Sequence, residues 1–283
     1  MAWYKKILSI VKILMDDLET SDFFGVCHQM AFYLLMSFFP MIIFLVKFLG
    51  EYIKEFESYL LEYLEIFLPE VSYDYVVTFL ANLNLGEGNF FQYLIYTIIF
   101  SSLAARAIMV GVSQSANQEE TRSTLKIWLY SFLSTFLFAI VVGFLVTQYF
   151  FFTDLSAEIL EYFNLGNKEQ FLQIFTSCFS FLSTFLIFDL IYAIAPAQNR
   201  SFFQALPGAL FTGMGIHLAF RIFIFLTNHS EKYARLYGNL NGLFALLVSI
   251  YTLSLIINLG GKINQYYEMY LNKELKKHFS LNQ

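Results

Sequence analysis

Four side chains can carry charge or exchange a proton inside long apolar runs of this sequence: Arg106, Asp189, His217 and Arg221. A charged group at the centre of a bilayer costs about 2.5–3.5 kcal/mol on insertion scales, so it marks a partner, a cavity or a substrate path. Asp189 lies less than two helical turns before the inner end of its run, and Arg106 stands at a similar place in its own. The shared depth allows an Arg106–Asp189 pair. It equally allows an ion or substrate site at that level, or an Asp that stays protonated. Ala205, Ala209, Gly213, His217 and Arg221 recur every fourth residue. Such a row winds by about 40° per step and forms a ridge, not one face. Its small half lets helix backbones approach closely. Its polar half offers His217 for an interhelical hydrogen bond or for a cavity wall. Arg106 and Arg221 suit an anionic head group.

The elements that must position these groups are apolar and long. Hydrophobic residues make up 58% of the 283 and charged ones only 14%, where about 25% is usual in soluble chains. The pattern predicts an all-α, polytopic integral membrane protein with six transmembrane helices. The spans lie near 24–49, 90–112, 125–152, 171–195, 203–226 and 240–263, each near the roughly 20 residues that a bilayer requires. Helices fit lipid because each satisfies its own backbone groups. Lys5, Lys6, Lys12, Arg106, Arg200, Lys273 and their like gather on one side, which by the positive-inside rule puts both termini in the cytoplasm. Residues 1–22 read as an interfacial amphipathic helix with Trp3 at its edge. Residues 23–264 form the transmembrane domain. The outer loop at 51–89 holds two short helices parted by Pro69, and 265–283 form a basic cytoplasmic tail.

Several chemistries are excluded by residue type. The net charge of −5 gives no basic field for nucleic acid. Cys27 and Cys178 sit in or beside apolar runs and read as buried thiols, and the scattered His28, His217, His229 and His278 build no metal site. No nucleophile–base pair or phosphate-binding loop is spelled out. The expectation is no catalytic residue, no metal and no cofactor.

Pro40 removes the helix bond to the carbonyl of Met36 and should kink the first span, with Ser37 near enough to satisfy freed groups. That span reads Met30-Ala-Phe-Tyr-Leu-Leu-Met-Ser-Phe-Phe-Pro40. Further on come Ile191-Tyr-Ala-Ile-Ala-Pro196, Ala205-Leu-Pro-Gly-Ala-Leu210, Tyr237-Gly238-Asn239-Leu240 and Gly260-Gly-Lys-Ile-Asn264. In this order they resemble the signatures of the YihY/BrkB (virulence factor BrkB) membrane proteins over nearly the whole chain. Tyr33, Ser37, Pro40, Pro196, Pro207, Gly208, Tyr237, Gly238 and Asn264 match that pattern, with Gly213 a packing position beside them. Lys262 departs from it, standing where the family has an acid. The resemblance implies six helices in a bacterial cytoplasmic (inner) membrane. The family once carried the label ribonuclease BN, which the scattered His and the acidic balance argue against.

Two functions compete on this reading. One is a transporter or flippase for a lipid or other amphipathic anionic molecule, the ligand being an anionic or polyprenyl lipid. The other is a non-transporting scaffold for envelope proteins, as a homo-oligomer or with a protein partner. A membrane-embedded enzyme comes last.

Overall fold

The computed structural model describes residues 22–52, 56–68, 70–82, 90–115, 121–133, 168–197, 200–228 and 241–271. The expected amphipathic helix before residue 22, most of the third span, Tyr237 with Gly238, and the last part of the basic tail lie outside them. Within the described residues the chain is all-helical, with no strand. In chain order the helices are α1 (Phe23–Tyr52), α2 (Phe56–Phe67), α3 (Glu70–Asn82), α4 (Phe90–Ser115), α5 (Lys168–Ile194), α6 (Phe202–Asn228) and α7 (Asn241–Leu271). A helical stretch at 124–133 follows α4.

Among the described residues four helices contain segments long and apolar enough to cross a bilayer: Phe23–Ile43, Ile98–Ser115, Phe202–Phe223 and Gly242–Met269. The run expected at 171–195 lies on α5 (Lys168–Ile194), in which Ser180–Ile194 is an apolar segment among the described residues. Lys168, Glu169, Gln170 and Gln173 make the first turns of α5 polar. At the other end of the chain, α7 continues through Leu271, past the Asn264 boundary expected for the transmembrane domain.

α7 is the central element, packing on α6, α1, α3 and α4, while α1 pairs most closely with α4 and α5 with α6. Two apolar clusters stack along it. In one, α2 and α3 set Leu60, Val76 and Leu80 against Ile42 of α1 and Leu246 of α7. In the other, Met30, Val112, Tyr192, Ala209 and Ile257 join α1, α4, α5, α6 and α7.

α6 presents two rows of small residues to two neighbours. A Cβ on Gly213 would stand 3.4 Å from the Phe181 ring, so this row receives α5. A Cβ on Gly208 would run into the Gly260 carbonyl and the Asn264 amide, and one on Gly215 would come within 2.9 Å of Ile256, so this row receives α7. Close backbone approach of this kind is how helices associate where lipid supplies no hydrophobic drive.

The prolines act through their neighbours. Pro40 sits inside α1, and Ser37 Oγ donates to the Leu34 carbonyl at 2.9 Å, not to the Met36 carbonyl that Pro40 frees. Pro207 lies inside α6, and the next amide, Gly208 N–H, donates sideways to Asn264 Oδ1 at 2.6 Å. Pro196 is buried in the turn after α5, where a residue that cannot continue a helix belongs. Gln204 Oε1 accepts from the Ser201 amide at 3.0 Å and starts α6 as half of a capping box.

Candidate functional site

Arg106 lies on α4, nine residues before the helix ends at Ser115. The helical rise puts it about 13 Å along the axis from that end. Its side chain lines a cavity of about 100 Å³ between α1 and α4, with Gln29, Met30 and Tyr33 from α1 and Leu103 and Gly111 from α4. The Trp128 ring from the 124–133 stretch covers the guanidinium, 5.3 Å from its centroid. Among the described residues no hydrogen bond or ion pair reaches Arg106. An aromatic face compensates a cation by about 0.5–2 kcal/mol, and it takes up none of the five N–H donors of a guanidinium. Gly111 keeps the back of the cavity open, because a Cβ there would come within 2.6 Å of Met30 Cε.

The other expected positions lie elsewhere. Asp189 is buried on α5, and among the described residues its Oδ1 has no hydrogen-bond partner. It makes no ion pair with Arg106, because Arg106 turns to Trp128 and the α1 side of α4. His217 hydrogen-bonds the backbone of Ser180 and meets the Phe181 ring at 5.9 Å, both on α5. Arg221, one turn further along α6, is exposed. The four charged candidates therefore form no single site. Of the two thiols expected to be buried, Cys27 is, whereas Cys178 is exposed on α5. No group of His, Cys, Asp and Glu among the described residues could hold a metal ion.

A buried polar interlock escapes hydropathy reading. The Tyr192 hydroxyl donates to the Ile257 carbonyl at 2.7 Å and accepts from Thr212 at 2.6 Å. Ser254 Oγ donates to the Cys27 carbonyl at 2.7 Å, and Ser115 Oγ donates to Asn258 Oδ1 at 2.6 Å. Arg200 Nε pairs with Glu268 at 3.0 Å, and the Arg200 side chain is only 1% exposed. Lys262 is buried one turn beyond Asn258. The four-residue spacing of Ser254, Asn258 and Lys262 is the trace this row leaves in the sequence.

A model of the family described as Virulence factor BrkB matches residues 14–280. The chain belongs to the BrkB family. A ribonuclease-like protein, YfkH, of Bacillus subtilis (strain 168) is 26% identical over 243 residues, covering 83% of this chain and 86% of that one. A UPF0761 membrane protein of Glaesserella parasuis serovar 5 (strain SH0165) is 34% identical over 82 residues, 29% of each chain. No solved structure matches the chain. In this BrkB protein Gly208 and Asn264 hydrogen-bond each other across α6 and α7.

Proposed function

We propose that this BrkB-family membrane protein is a transporter or flippase for a lipid or other anionic amphiphile. In this reading it crosses the bacterial cytoplasmic membrane six times, with both termini inside, and Arg106 receives the anionic group. The supporting observation is the Arg106 guanidinium, which stands on a membrane-length helix, lines the α1–α4 cavity and, among the described residues, meets an aromatic ring in place of a counter-charge. A cation there is costly unless something neutralises it, and a forked guanidinium matches phosphate or carboxylate oxygens. The chemistry offered is anion binding, so we assign no reaction and no cofactor. Asp189, His217 and Arg221 have no assigned contact with the substrate.

The test is movement of a fluorescent anionic lipid across vesicles holding the purified full chain, beside Arg106→Gln. Faster movement with the wild type, lost in the variant, supports the reading. Equal movement in protein-free vesicles, wild type and variant overturns it.

A further inference from the structure

The cavity at Arg106 restricts which anionic amphiphile it can hold, and this inference rests on the reading just given. Pockets that enclose a whole drug-sized molecule measure about 300–1,000 Å³. This one measures about 100 Å³. It can therefore admit a compact polar terminus and must leave the apolar tails outside. Three polar groups in its otherwise apolar walls can donate: the guanidinium of Arg106, the amide of Gln29 and the hydroxyl of Tyr33. Such a set suits a group with several acceptor oxygens and more than one negative charge. A phosphate monoester has three terminal oxygens and about two charges near neutral pH. A phosphate diester has only two free oxygens, and its second substituent would need volume beyond the about 100 Å³ of the cavity.

We propose that the α1–α4 cavity is a head-group site selective for amphiphiles ending in a bare phosphate monoester. A glycerol- or sugar-capped phosphate is excluded from it by size. The tails run from the cavity mouth past Trp128 into the bilayer.

Trp128 reports on the site directly, because its ring covers the guanidinium that the phosphate would engage. The chain has two Trp, so Trp3→Phe leaves Trp128 as the only indole. This protein is reconstituted in phosphatidylcholine vesicles. Emission is followed while phosphatidic acid, phosphatidylglycerol or inorganic phosphate is titrated in. The expected result is a saturable change with phosphatidic acid and binding weaker by about tenfold or more with phosphatidylglycerol. Arg106→Gln should weaken the phosphatidic acid response by a similar factor, the equivalent of one charge-assisted hydrogen bond. Gly111→Ala should weaken it too, by driving Met30 into the cavity with no change of charge.

Equal responses to the two lipids overturn the size selection. A response unchanged in Arg106→Gln overturns the site. Saturation by inorganic phosphate alone, with no added effect of phosphatidic acid, overturns the lipid assignment in favour of a free anion. A phosphatidic acid preference without movement of lipid across the vesicles would instead sink the transport reading and leave this site standing.

Discussion

Gly260 and Gly261 are neighbours on α7 and should respond in opposite ways to the same added methyl. A Cβ on Gly260 runs into Thr212 Oγ1 and the Tyr192 hydroxyl, with Tyr192 Cζ at 2.9 Å. Tyr192 is fully buried, so its ring has no open space to retreat into. Overpacking of this kind costs about 1–3 kcal/mol. Loss of the two Tyr192 hydrogen bonds adds roughly 0.5–1.5 kcal/mol each. Replacing a helical Gly with Ala returns about 1 kcal/mol. Gly260→Ala should therefore destabilise by about 2–3 kcal/mol. A Cβ on Gly261 finds its nearest neighbour, Val112 Cγ1, at 3.5 Å, an ordinary contact. Gly261→Ala should gain up to about 1 kcal/mol. The assay is denaturant unfolding of both full-length variants in one detergent, followed by helical circular dichroism. Tyr192→Phe should soften the Gly260→Ala cost by removing one of the two oxygens in the way, a coupling that a double-mutant cycle reads. Equal stability of the two Ala variants would refute the close approach of α7 to α5 and α6 on which this reasoning depends.

Glu268→Gln should destabilise by about 2 kcal/mol in the same assay. It leaves the buried Arg200 guanidinium without its counter-charge, though the partial exposure of Glu268 reduces the cost. Arg200→Met combined with Glu268→Met should recover most of that loss. Asn258→Leu removes the acceptor of Ser115 Oγ and the donor to the Ser254 carbonyl, and should cost about 1–3 kcal/mol. In the folded protein a lipid-permeable maleimide should label the exposed Cys178 and spare the fully buried Cys27 until denaturant is added, as read by intact mass. Early labelling of Cys27 would contradict the packing of α1 on α7.

The helices were legible because length and hydropathy are one-dimensional properties, and lipid enforces both. The small-residue row of α6 through Ala205, Ala209 and Gly213 was legible for a related reason, since a four-residue spacing of Ala and Gly permits close approach wherever it occurs; the row of Gly208 and Gly215 that receives α7 was not, because those residues stand seven apart. The pairing of Arg106 with Asp189 was not legible. Shared depth fixes a height along the bundle but leaves the rotation of each helix open. Here rotation points Arg106 at α1 and Trp128 and leaves Asp189 buried on α5 without that partner. The interlock was hidden for another reason. Tyr192, Thr212 and Ile257 are far apart in sequence, and a backbone carbonyl such as that of Ile257 leaves no mark on composition.

The interlock and the cavity lie on different helix pairs, and this decides which motion is least costly. Sliding α6 along α7 would strain the Thr212–Tyr192–Ile257 chain, the Gly208–Asn264 bond and the Arg200–Glu268 pair together. At roughly 1 kcal/mol for each neutral hydrogen bond and more for the charged one, that motion is opposed by several kcal/mol. Uncovering Arg106 requires displacement of the Trp128 ring, a contact of about 0.5–2 kcal/mol. The 124–133 stretch that carries Trp128 is held to α4 by a further contact, Ser131 Oγ at 3.7 Å from the soft sulfur of Met109. An incoming phosphate would replace the ring contact with charge-assisted hydrogen bonds, which are stronger. Capture at Arg106 can thus proceed against the fixed frame of α5, α6 and α7, with the cost borne by one ring and repaid at the guanidinium it covered.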